Sequence, residues 1–397
     1  MAPHAHEAGR PAGSYRSLLN AGRVNQTPTP PETGISALLN NPPVLLLVLW
    51  AASGLVRRFV VGTGDSPVPS GAIVMTGGIF VIAALGALPV PEFIGRVLVL
   101  ELLVVLGYLA YSYLRSAFEG RLGRIIRQPT SAFAVGTWVA GSAVLGRALV
   151  EVLPEWRAAA VALWAVAVLV WIFYLSLLPG AFRAAFDRSA GGFPATGVVL
   201  LSVVSTQSLV VSGDAVLPGG LPELVSAALT VCGYGFYALG LVLISRRYLF
   251  RSDWSLADDW DDSNCILHGA MSITGLALVQ TDVFSDGLAT ATWIWALAFF
   301  VFVEGVEVAR AFVRVRGYGL RDGLFTYYAP QWSRNFTFGM FYAFTLQLYQ
   351  SDTAAAWTAG LQGVIVTYGQ YLVAALLLAE IGLFFYDRLK SPRGEAG

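Results

Sequence analysis

Charge is scarce: only 13% of the 397 residues are Asp, Glu, Lys or Arg, and 25 basic side chains balance 25 acidic ones. Nucleic-acid binding needs a concentrated cationic surface, so this balance excludes nucleic acid as a partner. Cysteine is scarcer. Cys232 and Cys265 are the whole complement, each within an apolar stretch, so there is no disulfide framework and both read as buried thiols. Three histidines leave little for a metal: Cys265 and His268 have a ligand-like spacing, yet no further Cys, His or carboxylate cluster completes a site. An embedded enzyme would need clustered histidines, a nucleophile with its base, or paired acids at one membrane face, and none is apparent. The one acidic cluster, Asp258, Asp259, Asp261 and Asp262, sits beside Trp254 and Trp260 and reads as a solvated loop. No enzyme activity and no cofactor are expected.

What the chain has in excess is apolar surface, with 56% hydrophobic residues and a mean hydropathy of +0.64. That balance belongs in lipid. A helix needs about 20 mostly apolar residues to cross the hydrocarbon, where no water satisfies its backbone. Ten segments qualify, near 69–89, 94–114, 129–152, 157–178, 194–213, 222–245, 264–281, 288–309, 332–350 and 360–386. The expected fold is an all-α integral membrane domain over 69–387. Residues 1–41 read as a disordered cytoplasmic tail, 42–68 as a short interfacial helix and linker, and 388–397 as a cytoplasmic C-terminal tail. The run 43–56 is shorter than a span and meets Arg57 and Arg58, hence its interfacial reading.

Short loops rich in arginine stay cytoplasmic. Alternate connections hold Arg115, Arg121, Arg124 and Arg127, then Arg183 and Arg188, then Arg246, Arg247 and Arg251, then Arg310, Arg314, Arg316 and Arg321; the C-terminus adds Arg388, Lys390 and Arg393. The opposite connections offer Arg96, Arg147 and Arg157 among Asp214, Glu223, Asp282, Asp286 and Asp352. A multi-pass protein of the plasma membrane with both termini cytoplasmic is expected. Were 43–56 to cross as well, the N-terminus would lie outside.

The spans repeat in pairs. Pro69, Pro129, Pro194 and Pro330 open odd-numbered spans and Asp262-Ser263-Asn264 opens the remaining one, so each unit is an up-and-down hairpin. Odd spans carry small and hydroxyl residues on one face: Ser70 and Gly77; Thr130, Ala134, Thr137 and Gly141; Ser202, Ser205, Thr206 and Ser212; Asn264, His268, Ser272 and Gly275; Ser333, Thr337 and Met340. Even spans are dominated by Leu, Val, Ala and aromatics. Small residues are also the usual contacts between membrane helices. Five such helices alternating with five greasy ones fit an inner ring wrapped by an outer one, with an axis lined by small side chains.

The inner faces have no carboxylate near their middles, which would repel an anion. Hydroxyls, glycine backbone and one imidazole remain, weak dipoles of the kind conduction requires. Glu101, Glu304, Glu307 and Glu380 sit on even spans, where pairing between helices is expected; proton coupling through Glu304 or Glu307 is the sharper alternative. His268 is a packing element or a pH sensor. Arg334 either attracts anions to the mouth or snorkels to the interface.

The segments Pro69-Ser70-Gly71-Ala72-Ile73-Val74-Met75-Thr76-Gly77-Gly78, Gly197-Val198-Val199-Leu200-Leu201-Ser202-Val203-Val204 and Tyr328-Ala329-Pro330-Gln331-Trp332-Ser333-Arg334-Asn335-Phe336-Thr337-Phe338-Gly339-Met340, with the hairpin repeat, resemble the tellurite-resistance/dicarboxylate transporter family, in the superfamily of the plant slow-type anion channels. The likeness spans 69–387. It implies ten helices as five pseudo-fivefold hairpins, odd helices inside and even helices outside, a homotrimer, and a pore closed by a phenylalanine of the ninth helix. That residue would be Phe336, with Phe338 the alternative. Relatives often carry Pro where this chain has Ser202 and Thr337, so milder bends in the inner helices are expected here.

Passage of small inorganic or organic anions is the leading functional expectation. A proton-coupled carrier of four-carbon dicarboxylates, sulfite or tellurite-related oxyanions, using Glu304, Glu307 or His268, is the second.

Overall fold

A computed structural model describes residues 34–390 apart from 63, 188–194, 251–253, 282, 352–354 and 356. Residues 1–33 of the tail, with Arg188, Pro194, Arg251, Asp282, Asp352 and Arg393, lie outside the described residues. Among the described residues every regular element is a helix. The long ones are α1 (Pro42–Val61), α2 (Val68–Ala87), α3 (Phe93–Phe118), α4 (Pro129–Val152), α5 (Pro154–Phe186), α6 (Gly197–Val216) and α7 (Glu223–Leu249). They continue with α8 (Ile266–Thr281), α9 (Asp286–Leu324), α10 (Gln331–Gln350) and α11 (Ala359–Lys390). Helix α9 is broken at Gly319, whose φ of 81° only glycine adopts readily.

Eight of these, α1 to α7 and α11, are long and apolar enough to cross a membrane. Seven were expected from the sequence. The eighth, α1, corrects the reading of 42–68 as a short helix and linker. Asn41 accepts from the Val44 amide and Pro42 and Pro43 fill the first turn, as helix starts favour. The helix then continues through Arg57 and Arg58 as a π-helical turn to Val61, and Gly62, at φ 94°, ends it. The part read as tail also contains a short helix, Gly34–Leu39.

Helices α8, α9 and α10 are not among the eight. For α8 and α10 the reason is visible in the packing: nearly every residue of Ile266–Leu278 is buried, as are most of Trp332–Leu348. A helix covered by protein on all sides tolerates Asn335, His268 and Thr345 where a lipid-facing one would not. Burial alternates along the chain: 94% of the most apolar stretch of α4 is buried against 17% of α5, and 89% of α6 against 33% of α7.

The five buried helices pack in succession, α2 on α4, α4 on α6, α6 on α8 and α8 on α10, and α10 returns to α2. Each also packs on the helix that follows it, α3, α5, α7, α9 or α11. Hydrogen bonds fix the register where helices meet. Thr76 Oγ1 donates to the Trp332 carbonyl at 2.7 Å, joining α2 to α10, and the Gly197 amide donates to Asn264 Oδ1 at 2.9 Å, joining the start of α6 to the turn before α8.

Backbone contact is closest at Gly197, where an added Cβ would lie 1.8 Å from the Ser263 carbonyl oxygen and 2.7 Å from Asn264 Cα. Both are main-chain atoms, so no side chain can swing aside. Gly197→Ala is expected to destabilise the fold by about 3 kcal/mol, the upper end for overpacking. Gly235→Ala, with nothing within 4 Å, is expected to be neutral or slightly stabilising. Thermal unfolding in detergent checks this: equal melting temperatures for the two variants would refute the contact.

Candidate functional site

The small-residue faces serve first as helix contacts. A Cβ on Gly77 would meet Leu102 of α3, on Gly141 the Gly71 carbonyl oxygen, and on Gly275 the Phe344 ring. These three glycines therefore let neighbouring helices approach closely. Thr337 packs over Gly269 of α8, and Thr137 lies against the start of α2, donating to the Ala134 carbonyl at 2.8 Å.

Most of the hydroxyls are likewise engaged, although Ser212 Oγ has no hydrogen-bond partner among the described residues. Ser202 donates to the Val199 carbonyl, Ser205 and Thr206 to the Ser202 carbonyl, Ser272 to the His268 carbonyl and Thr337 to the Arg334 carbonyl, all within 3.1 Å. Thr206 also accepts from Trp171 Nε1 of α5, turning it toward the outer helix. A hydroxyl has one proton to donate, so none of these protons is free for an anion as the helices stand. Back-bonding to the preceding turn is the usual fate of Ser and Thr in helices.

A different stripe faces the space that the five buried helices enclose. A small cavity is lined by Ile82 and Ala83 of α2, Arg147 of α4, Leu276 of α8, and Ala343, Leu346 and Gln347 of α10. Steps of four, three and four residues carry that face of α10 back from Gln347 to Ala343, Met340 and Phe336. Phe336 thus belongs to the interior stripe, about 16 Å along the helix from Gln347. Phe336, Met340, Met75 and Ile79 are all 0–1% exposed. Ser333 is buried one helical turn from Phe336 and Thr337. Phe338 points elsewhere: its ring stands 4.9 Å from Phe300 of α9 and 6.1 Å from His268.

Arginines stand at both ends. Near the C-terminal ends of the buried helices, Arg147 is 6% exposed, pairs with Glu151 at 2.8 Å and donates to the Val211 carbonyl at 3.3 Å. At the other end a cavity of about 120 Å³ is lined by Arg310, Arg314, Arg334, Asp262, Glu307 and Gln331, among others. Arg334 pairs with Glu307 and lies 3.9 Å from Asp262; Arg310 binds Asp262 at 2.5 Å and Glu307 at 3.5 Å. Trp260 Nε1 donates to Glu307 at 3.0 Å. Arg314 is held by the Ala257 and Gly323 carbonyls at 3.0 and 3.2 Å.

The acidic loop is less solvated than its sequence suggests. Asp259 and Asp261 accept from the amides of Ser255 and Ser263, and Asp258 accepts from Tyr318, a hydrogen bond that pushes the exposed phenol's pKa up. Among the described residues no three His, Cys, Asp or Glu side chains cluster as metal ligands.

Above this cluster, His268 Nε2 lies 3.7 Å from Glu304 Oε1. Neither ring nitrogen of His268 has a hydrogen-bond partner among the described residues, and the imidazole is edge-on to Phe300 at 4.8 Å. Glu101 accepts from Ser53, and Glu380 is 5% exposed. The pairings of Arg334 with Glu307 and of Ser53 with Glu101 join segments 27 and 48 residues apart, with no signal in the local sequence. No family model matches the chain, and no curated protein matches it.

Proposed function

We propose that the chain conducts small anions across the plasma membrane along the axis enclosed by α2, α4, α6, α8 and α10, with Phe336 closing the path. The observation that carries this is the position of the buried Phe336 on the interior stripe of α10, which continues into the cavity beside Arg147. In this reading ten helices form five pseudo-fivefold hairpins, buried helices inside and exposed helices outside, in a homotrimer of the tellurite-resistance/dicarboxylate transporter kind. The Arg310, Arg314 and Arg334 cavity opens to the cytoplasm, where the arginine-rich connections and the C-terminal end of α11 also lie. Guanidinium groups raise the local anion concentration. The tight packing around Phe336, Met340, Met75 and Ile79 makes this state a closed one.

Reconstitution tests it. Liposomes holding the protein are expected to pass chloride or nitrate down its gradient with no change of luminal pH. Absence of anion flux from a folded, inserted preparation would reject the proposal.

The second reading, a proton-coupled carrier of dicarboxylates, sulfite or related oxyanions, is favoured by one observation: a buried imidazole whose Nε2 stands 3.7 Å from Glu304 and whose Nδ1 has no hydrogen-bond partner among the described residues. A buried polar group left unpaired costs about 1–3 kcal/mol and calls for a use. In that case the lumen acidifies or alkalises as substrate moves, and the pH change disappears in His268→Gln while Phe300→Leu keeps it.

A further inference from the structure

Helix α1 makes its polar contacts along one side, and all of them are with α3 or the turn that follows. Arg96 donates to Asn40 at 3.3 Å, Ser53 to Glu101 at 2.5 Å and Arg57 to the Tyr108 carbonyl at 3.4 Å. Beyond α1, the Ser66 amide donates to Ser112 at 2.8 Å and Asp65 pairs with Arg121 at 2.7 Å. Along α1 and its start the partners rise together, Asn40, Ser53 and Arg57 meeting Arg96, Glu101 and Tyr108, so α1 runs parallel to α3. At 20 residues it is about 30 Å long, the thickness of the hydrocarbon.

The opposite face of α1 is largely exposed. Leu47 is 65% exposed, Trp50 58%, Leu55 59% and Phe59 54%, and Leu45 is the one residue of Pro42–Val56 that is buried. Such a face in water would expose a continuous apolar stripe, far from what soluble surfaces carry. Its ends match a bilayer. The start is an asparagine cap and two prolines without charge; the end carries Arg57, over the Tyr108 ring at 5.1 Å, and Arg58. That end meets the turn holding Arg121 and Arg124, and arginines gather on the cytoplasmic side. Removing α1 would leave Glu101, eight residues inside α3, without the hydroxyl it binds, an expensive group to turn toward lipid.

We propose that α1 crosses the bilayer parallel to α3, with Leu47, Trp50, Leu55 and Phe59 against lipid hydrocarbon, so that the chain before Asn41 emerges on the face opposite the C-terminal end of α11. This replaces both the interfacial reading of 43–56 and the expectation that both termini are cytoplasmic. The number of crossings becomes odd. The segment 1–33 opposes it weakly, since Arg10, Arg16 and Arg23 lie 19 or more residues before Pro42, at or beyond the reach over which arginines set orientation.

The test is sidedness, followed by the environment of the exposed face. In a Cys232→Ser background, with Cys265 buried, single-cysteine variants Asn40→Cys and Arg124→Cys are treated with a membrane-impermeant maleimide on intact cells expressing the full chain. Asn40→Cys is expected to label in intact cells and Arg124→Cys only after permeabilisation; labelling of both from the same side overturns the crossing. A nitroxide on Leu47→Cys is then expected to relax with oxygen and hardly at all with an aqueous nickel complex. Nickel dominance, or dipolar broadening from a second copy, overturns lipid as the occupant. Neither readout requires anion movement, so these results and those of the flux assay fail independently.

Discussion

Phe336→Ala is expected to raise anion flux in liposomes roughly tenfold or more, equivalent to taking about 1.4 kcal/mol or more off the barrier. The ring is 0% exposed and stands on the stripe of α10 that continues into the cavity beside Arg147 and Gln347. Cutting it to a methyl leaves space for water beside Met340, and hydration is what an anion needs to enter. The same truncation costs about 3–5 kcal/mol of packing, so flux is compared only in variants whose thermal unfolding stays cooperative, with Phe336→Leu as the milder step. Phe338→Ala is the control. Its ring packs on Phe300 and His268, away from that stripe, and its removal is expected to leave flux unchanged. Unaltered flux in a folded Phe336→Ala preparation, or an equal gain from Phe338→Ala, would remove Phe336 from its role.

The second large effect concerns Arg334. Its guanidinium pairs with Glu307, whose side chain is 9% exposed while that of Arg334 is 25% exposed. Taking away one partner of a buried pair leaves the other charge uncompensated, which costs about 3–5 kcal/mol. Partial exposure of Arg334 and the nearby Arg310, at 3.5 Å from Glu307, reduce this to about 2 kcal/mol for Arg334→Gln. Adding Glu307→Gln is expected to recover most of that loss, because no charge is then stranded, although Trp260 keeps an acceptor. Thermal or denaturant unfolding in detergent gives the comparison. If the double variant is no more stable than the single one, the pair does not act as a unit. Net charge at the cavity falls by one in the single variant and returns in the double, so any loss of anion flux on replacing Arg334 is expected to be partly restored too.

The alternation of buried and exposed helices was legible in the sequence because two signals coincide. Prolines punctuate the odd helices at near-regular intervals, and small or hydroxyl residues recur on them at three- and four-residue steps. What those small residues do was not legible there. The face of a helix can be read from periodicity, but whether it meets a neighbour or an open space depends on the neighbour: Gly77 meets Leu102 from a helix 25 residues on, and Gly275 meets Phe344 from 69 residues on. Hydroxyls such as those of Ser205 and Ser272 donate to the carbonyl of the preceding turn, a partner that periodicity alone does not reveal.

Helix α1 is longer than its local sequence suggests for a related reason. Arg57 and Arg58 look like a terminus when the chain is scanned locally. In the folded protein Arg57 rests on the Tyr108 ring and donates to its carbonyl, partners half a hundred residues away, and the helix continues past both arginines. The Arg334, Glu307, Arg310 and Asp262 cluster was hidden in the same way. Each charge was visible, but its opposite number came from another helix or loop.

The bond from Thr76 to Trp332 ties together residues 256 positions apart. Until the stretch beginning at Gln331 has been synthesised and inserted, the flank of α2 that receives it has no partner, and α8 is likewise open on one side. The molecule must therefore wait, half assembled, through most of its own translation, with hydroxyls and glycines turned to lipid. A chain stopped before that stretch would be a target for membrane proteolysis, however well its first helices had formed.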